Sequence, residues 1–489
     1  MSLTAALNTA RAALQTTSQQ IAISGRNIAG ANDPTYSRTI ALPTTTADGT
    51  SQILTITRAS NDALYSRMLD ATSTSSSQQA LLDGLNQLQQ TVGDTDSSQS
   101  PSAKITALAT SLQQYANAPD NSQLGQAVVT AASNLATGLN AATQTVQKVR
   151  SDADAQIGAS VTHINDLLAQ FGTLNADVTK NTGTGADVTG EMDQRDAIVN
   201  QLSQELGVTV VNRANNDMAL YTDSGVPLFD GSARSVSFQA TPSLAPGVVG
   251  KAVVIDGVPV TGANATMPLH SGKIAGLTQI RDQVAPAYQN QLDEISRGLV
   301  ETFAETDQSG GGGPAATGLF TWSGGPAIPQ SGTVVPGLAS QIAVNPAVDP
   351  SKGGNVGELR DGGINGSAYV YNSSGGASFA DRLDGLVGNL DSQRSFDIGA
   401  QLGTSASVSD YATSSASWLE NLRQTASTNN DYQQALLSQA STTLSNSTGV
   451  NLDEEYATQL QLEQSYTASS KLIAVVGQLF DQLMAAFHP

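Results

Sequence analysis

The chain has 489 residues, which is too long for a single hydrophobic core, so we expect about two to four domains. It contains no cysteine, and this excludes disulfides, thiolate nucleophiles and cysteine-ligated metal sites. The formal net charge of −20 argues against nucleic-acid binding, because contacts to phosphates require a positive field.

The N-terminal segment carries a heptad pattern typical of a helix that packs along another helix. The alternate seam positions are occupied by Leu3 and by the small or polar residues Ala10, Thr17 and Ser24. The polar residues of this segment interrupt any apolar core of a Sec signal, and no run in the chain approaches the ~20 apolar residues of a membrane span. We therefore expect no membrane contact and no cleaved signal peptide. The apolar heptad positions are Leu7, Leu14, Ile21 and Ile28.

The sequence NIAGANDPTYSR, residues 27–38, ends this helical pattern abruptly. Gly30 can adopt the left-handed conformation that terminates a helix, and Pro34 cannot continue one. We therefore predict that the first helix ends here and that a turn redirects the chain.

Proline and glycine divide the rest of the chain. Residues 120–226 and 351–488 contain no proline, whereas 12 of the 17 prolines lie between Pro227 and Pro350. Helical spacing of apolar residues predicts helices within 157–178, 198–206 and 277–303, with Pro286 kinking or splitting the last one. The Gly/Thr-rich residues 181–190 predict a loop between the first two.

The middle of the chain has the pattern of short strands. Strands are predicted in 206–213, 218–229 and 251–262, with Ser224-Gly225 and Asp256-Gly257 as hairpin turns. Residues 309–314 form a glycine-rich loop or linker, and residues 315–375 are predicted to contain short strands and irregular loops.

The C-terminal segment has a second helical seam. Asn451 can cap the start of this helix, and the acidic residues Asp453, Glu454 and Glu455 suit its positive end. Because the most regular seams lie at the two ends of the chain, the terminal helices can pair with each other or with other copies. The main seam residues are Leu462, Tyr466, Ile473, Val476, Phe480, Leu483 and Phe487.

No motif in the sequence points to catalysis. His163, His270 and His488 are isolated and lack metal-ligand spacing, so we predict no catalytic residues, no metal site and no cofactor. The acidic and basic residues of EMDQRD, 191–196, favour a network of caps and salt bridges at a helix start over a carboxylate/arginine site.

The turn sequence resembles a motif of the bacterial flagellar axial proteins, a family that includes rod, hook and hook-associated proteins. The chain departs from that motif at Gly30, Asp33 and Thr35, which are usually Asn, Thr and Gly. Because Thr35 resists positive φ, we predict a type I-like turn here rather than type II. The matching residues are Asn27, Ile28, Ala29, Asn32, Pro34, Tyr36, Ser37 and Arg38.

Other segments resemble the hook-associated proteins of the hook–filament junction. GVNLDEE at 449–455 and the seam that follows it resemble the C-terminal motif of the axial class. The helical segments 164–178, 191–208 and 271–303 are similar to the junction branch, as are residues 318–322 and 342–354. This branch of the family is favoured over the hook protein, which shares the two ends.

The resemblance implies an α+β multidomain fold. The expected terminal core domain, residues 1–60 and 445–489, pairs the N- and C-terminal helices in a coiled-coil-like arrangement. An elongated helical domain, with some mixed elements, is expected from 61–207, 273–308 and 376–444. A small β-rich outer domain at 208–272 and an irregular, β-rich insertion at 309–375 complete the expected architecture.

The resemblance also implies a structural function outside the cell. The expected protein is no enzyme and is exported to the flagellum, where it joins hook to filament. Its implied partners are further copies of itself, the hook protein below, the next hook-associated protein above and an export chaperone on the C-terminal helix. The predicted assembly residues are the two apolar seams together with Asn27, Asn32, Tyr36 and Arg38. The alternatives are the hook protein or another axial protein and, from a different class, a secreted adhesin with coiled-coil ends.

Overall fold

A computed structural model describes residues 2–47, 49–92 and 99–487, apart from the side chain of Phe487. Phe487 as a seam residue and His488 therefore lie outside the side chains that the structure describes. No helix in these ranges is long and apolar enough to cross a membrane.

Helices dominate the described residues. The N-terminal part contains α1 (Leu3–Gly30), α2 (Asp62–Gln89), α3 (Pro101–Asn117), α4 (Ser122–Gly183) and α5 (Thr189–Glu205). The rest contains α6 (Lys273–Gln279), α7 (Ala285–Thr302), α8 (Glu358–Asp361), α9 (Asp381–Leu390), α10 (Val408–Thr448) and α11 (Leu452–Phe487).

The strands are short and form small antiparallel sheets. They are β1 (Thr39–Thr45), β2 (Ser51–Arg58), β3 (Val208–Asn212), β4 (Met218–Thr222), β5 (Pro227–Phe229) and β6 (Val236–Ser237). The remainder are β7 (Val254–Ile255), β8 (Val258–Pro259), β9 (Phe320–Thr321), β10 (Ala343–Val344), β11 (Arg394–Ser395) and β12 (Ser405–Ala406). The fold is α+β and multidomain, as predicted.

The 62-residue helix α4 is the central helix of a bundle that also contains α2, α3, α5, α6 and α7, here called the helical body. Its buried apolar residues recur at helical spacing, and α2, α3, α5, α6 and α7 pack along it. Val128, Leu135, Leu139 and Ile157 are completely buried. Only the second half of α4 was predicted from the sequence, because the buried positions of the first half are mostly alanine and valine, with only Leu135 and Leu139 as larger apolar side chains.

The helix predicted over 277–303 is interrupted by one π-helical turn, Ile280–Val284, and α7 begins immediately before Pro286. A proline in the first turn of a helix needs no N–H partner, so the π turn accommodates it without a sharp kink. The buried Arg281 of this turn forms a 2.6 Å ion pair with Asp154 of α4 and a 2.7 Å pair with Asp282.

Helix α7 also holds the irregular segment that follows it. The buried carboxylate of Asp293 accepts hydrogen bonds from the backbone N–H groups of Gly337 and Ala339 and from the side chain of Gln289. Burial nevertheless raises the pKa of Asp293 to about 6.

The β-rich middle consists of two three-stranded sheets, ordered β3-β4-β5 and β6-β7-β8. Both predicted hairpin turns are confirmed. Asp256 and Gly257 have positive φ angles of 48° and 84°, as a type I′ turn requires. Gly225 has a φ of 91° in the turn between β4 and β5.

The two ends of the chain lie together. Helix α1 packs on α11, and the hairpin of β1 and β2 packs on another side of α1. This hairpin was not predicted, because residues 39–58 contain proline and lack a strict alternation of apolar and polar residues.

Candidate functional site

The pair of terminal helices is joined through one buried carboxylate. Glu455, in the first turn of α11, is 2% exposed. It accepts hydrogen bonds from Ser24 Oγ at 2.8 Å, from Asn27 Nδ2 at 3.1 Å and from Arg38 Nε at 2.7 Å. These donors come from α1 and from the segment after it, so Glu455 connects both to the C-terminal helix.

Asn27 links the same carboxylate to the start of the hairpin. Its side-chain amide donates to the carbonyl oxygen of Thr39, and its side-chain oxygen accepts from the Thr39 N–H and from the Tyr36 hydroxyl. Burial raises the pKa of Tyr36, so the hydroxyl keeps its proton and remains a donor. The network therefore fixes the direction in which the chain leaves α1.

The turn itself has the predicted form. The Tyr36 N–H donates to the Asp33 carbonyl, and Thr35 does not adopt positive φ. The Asp33 carboxylate also accepts hydrogen bonds from the N–H and the hydroxyl of Thr35. A type II turn is thus excluded, and Asp33 stabilises the tight turn in the absence of the usual glycine.

The predicted role of Gly30 was wrong. Gly30 is the last helical residue of α1, and Ala31, which follows, is also in the right-handed region. A Cβ atom on Gly30 would lie 2.6 Å from Cγ of the Tyr36 ring. The glycine is therefore required for close packing of the Tyr36 ring and not for a left-handed conformation.

A second set of ion pairs attaches the ends to the helical body. Arg58, at the end of β2, pairs with Asp193 at 2.8 Å and with Asp196, both on α5. Burial acts to lower the pKa of Arg58, but the two carboxylates outweigh it and raise the pKa. Arg26 of α1 pairs with Asp187 at 3.0 Å. Asp193 and Asp196 of EMDQRD thus form the predicted salt bridges, whereas the predicted cap is absent because α5 begins without a side-chain cap hydrogen bond.

The heptad of α1 is only partly enclosed within one chain. Ala10, Thr17 and Ser24, the small and polar half of the seam, are buried. The Ser24 contact shows that this half faces α11, where small side chains allow close approach of the two helices. The apolar half, Leu7, Leu14, Ile21 and Ile28, is half-buried.

The predicted seam of α11 is covered unevenly. Val476 is buried, Leu462, Ile473 and Phe480 are half-buried, and Tyr466 and Leu483 are exposed. The two helices are antiparallel, with Ser24 near the end of α1 in contact with Glu455 at the start of α11. The number of residues from Leu3 to Ser24 equals the number from Glu455 to Val476. Because both helices rise equally per residue, α11 extends beyond the start of α1 after Val476.

The structure also shows an apolar face on α11 that the sequence analysis missed. Leu472, Val475 and Leu479 are each exposed by about half, at 57%, 52% and 45%. Their spacing places them on one side of the helix, next to the seam but directed away from α1. This spacing is visible in the sequence, but the neighbouring seam contains more aromatic residues and was therefore predicted to be the interaction face.

The predicted assembly residues therefore fall into two groups. Asn27, Tyr36 and Arg38 make contacts within one chain, although the sequence analysis assigned them to contacts between subunits. Asn32 is exposed on the turn. The described apolar seam residues other than the buried Val476 retain exposed surface. Ser24 and Glu455 complete this hydrogen-bonded network. The heptad register could have identified Glu455, which lies seven residues before the seam residue Leu462, whereas the neighbouring Asp453 and Glu454 lie off the seam.

The described residues contain no group of three or more His, Asp or Glu side chains that could hold a metal ion. His163 lies 3.1 Å from Glu205, and His270 lies 3.8 Å from Asp223.

Comparison with known proteins agrees with this architecture. Residues 85–319 match the family model described as the flagellar hook-associated protein FlgK helical domain. Flagellar hook-associated protein 1 of Escherichia coli is 25% identical over 98% of this chain and 97% of its own length. The chain is thus similar to flagellar hook-associated protein 1 along nearly its whole length, and its helical body matches the helical domain of that protein. These similarities are to a structural protein of the bacterial flagellum, the protein of the hook–filament junction.

Other relatives give the same family name. Flagellar hook-associated protein 1 of Bacillus subtilis is 21% identical over 82% of this chain and 78% of its own length. The protein of that name from Salmonella typhimurium is 27% identical over 42% of this chain and 38% of its own length. The structure of the flagellar hook junction protein FlgK from Burkholderia pseudomallei aligns with a TM-score of 0.43 and 24% identity, over 53% of this chain and 47% of that one.

Proposed function

We propose that this chain polymerises at the distal end of the hook, where its paired terminal helices pack against those of neighbouring copies. The observation that carries the proposal is the apolar surface left open on these helices. It consists of the Leu7, Leu14, Ile21 and Ile28 half of α1, the overhang of α11 after Val476 and the exposed Leu472, Val475 and Leu479. Exposed apolar residues that share one face of a helix, as Leu472, Val475 and Leu479 do, mark an interaction site.

The hydrogen-bonded network around Glu455, here called the joint, supports the proposal that some residues orient the interface and others make its contacts. Its hydrogen bonds and the Arg58 ion pairs hold the terminal helices in a fixed orientation relative to the helical body. A neighbouring copy then meets a preformed surface, which lowers the entropy cost of association. In this proposal Asn27, Tyr36 and Arg38 act by orienting the interface, and the apolar seams make the contacts.

We further propose that the hook protein lies below the assembled copies and the next hook-associated protein above them. Export proceeds without a cleaved signal peptide, with a chaperone holding the C-terminal helix beforehand. The chaperone would cover Tyr466, Ile473, Phe480 and Phe487. Because Ile473 and Phe480 are half-buried in the folded chain, the chaperone would bind α11 before it packs on α1.

Substitution of Leu479 by Asp tests the proposed interface. Leu479 is 45% exposed in the single chain, so Leu479→Asp should leave its thermal stability unchanged, whereas a charge buried between copies costs several kcal/mol. We expect the variant protein in the culture medium and no filaments on the cells. The control is Gln478→Asp, a charge at the adjacent exposed position, which should permit filaments. Normal filaments on the Leu479→Asp strain would exclude this face from the assembly.

A further inference from the structure

A groove with a volume of about 370 Å³ lies on the helical body, between α2, α4, α5, α6 and α10 and away from the terminal helices. Its floor is apolar and includes the buried side chains of Val149, Leu277 and Ile280. Its rim is polar, with serine hydroxyls and glutamine amides from several helices. This volume, and an apolar floor with polar groups around it, are typical of small-molecule sites.

Close approach of the helices creates the groove. A Cβ atom on Gly276 would lie 2.2 Å from the carbonyl oxygen of Ser77, and one on Gly84 would lie 2.4 Å from Cγ1 of Ile280. Helices α2 and α6 and the π turn therefore touch at their glycines. The short side chains of Ser75 and Ser76 line the groove beside these contacts.

The charges around the groove favour a cation. Three carboxylates, Asp83, Asp152 and Glu205, line it together with one basic residue, Lys273. Asp152 forms a 2.7 Å ion pair with Lys148, which leaves Asp83 and Glu205 as the carboxylates that Lys273 balances only in part. An anionic ligand would be repelled here, in a chain whose formal net charge is already −20.

One carboxylate that lines the groove has an oxygen without a hydrogen-bond donor. Oε1 of Glu205 lies 3.1 Å from His163, whereas Oε2 is buried without a hydrogen-bond partner among the described residues. Buried carboxylate oxygens are normally hydrogen-bonded, so Glu205 is an incompletely satisfied carboxylate at the groove wall. Its side chain is 12% exposed, and a small rotation would present the carboxylate to an N–H or O–H donor in the groove.

We propose that the groove binds a linear alkylammonium group. Methylene groups would lie on Val149, Leu277 and Ile280, and the ammonium would donate to the Glu205 carboxylate after its rotation and lie near Asp83. The rim glutamines offer carbonyl oxygens to further N–H groups. A free polyamine and the lysine side chain of another protein share this chemistry.

The test is titration of the full chain, with its Ile and Leu methyl groups labelled for NMR, in low salt. The probes are spermidine and Nα-acetyl-lysine methylamide, with sorbitol as a neutral polyol. We expect saturable shifts of the Ile280 and Leu277 methyl signals with at least one of the two amines and none with sorbitol. The amine that binds more tightly identifies the source.

Variants give effects of opposite sign. Glu205→Gln should raise the Kd about tenfold or more, because it removes a charged hydrogen-bond acceptor. Lys273→Gln should lower the Kd by roughly threefold, because it removes a competing positive charge. Asp177→Asn, at an exposed carboxylate elsewhere on α4, is the matched control and should change the Kd by less than about twofold.

Three results would overturn the proposal. One is the absence of saturable shifts at the floor methyl groups with either amine. Another is weaker amine binding by Lys273→Gln. The third is an equal loss with Asp177→Asn and Glu205→Gln, which would show that the amines respond only to the overall negative charge of the chain. Unchanged melting temperatures of the variants establish that the groove remains folded.

Discussion

Substitution of Glu455 by Gln should loosen the terminal helices without affecting the helical body. Three side chains donate to this carboxylate, and it is 2% exposed. Glutamine has the same shape, but an NH₂ group replaces one of the two acceptor oxygens. This NH₂ group would face a hydrogen-bond donor, and the ion pair with Arg38 would be lost. Hydrogen bonds to charged groups contribute about 1.5–3 kcal/mol each.

The expected loss is roughly 2–3 kcal/mol, less than the two affected contacts would suggest if both were fully buried. The Arg38 side chain is 33% exposed, so water partly replaces its lost partner. Hydrogen-exchange mass spectrometry measures this locally. Peptides around Ser24 and Glu455 should lose protection in the variant, whereas peptides from the core of α4 should not.

The neighbouring Glu454 provides the matched control. It lies 3.8 Å from Arg38 with a side chain that is 62% exposed, so Glu454→Gln should change the local stability by less than about 0.5 kcal/mol. Equal exchange rates in the two variants would refute the assignment of Glu455 as the joint. Loss of protection throughout α4 would show instead that the whole fold depends on it.

Three further predictions concern packing, export and pH. Gly30→Ala should lower stability by about 1–3 kcal/mol in thermal melts, because its Cβ would overlap the Tyr36 ring, and an unchanged melting temperature would contradict this packing. Phe480→Ser should weaken chaperone binding in calorimetry and also reduce filament number, and loss of assembly alone would place the chaperone elsewhere. Asp293 has a pKa raised to about 6, so its protonated form is favoured by folding, and stability should fall by roughly 2–3 kcal/mol as pH rises from 4 through 6. Urea unfolding across this range should show a slope that Asp293→Asn removes, and an equal slope in the variant would contradict the assignment.

Local signals in the sequence predicted much of the fold. The hairpin turn at Asp256-Gly257 and the loop predicted at 181–190 depend on residues that are close in the chain. The structure contains the turn and a shorter loop, residues 184–188. Asn451 caps α11 as predicted, since its side chain accepts from the Asp453 N–H. These features need no knowledge of tertiary packing.

The features that were missed depend on contacts between distant residues. Glu455 has the sequence context of a residue that interacts with a helix dipole, but Ser24 and Arg38 lie more than 400 residues away in the chain and direct it into a buried network. Gly30 matched a helix terminator, and only the position of the Tyr36 ring reveals its packing role. Half-buried seam residues such as Leu14 fit both intrachain and interchain contact, and periodicity does not distinguish the two.

Electron microscopy of a strain that lacks this chain tests its proposed place in the flagellum most directly. The account predicts cells with complete hooks, no filaments and filament protein released into the medium, with filaments restored by the wild-type chain but not by Leu479→Asp. Cells without hooks would identify a hook or rod component instead. Normal filaments in the deletion strain would contradict the junction function altogether.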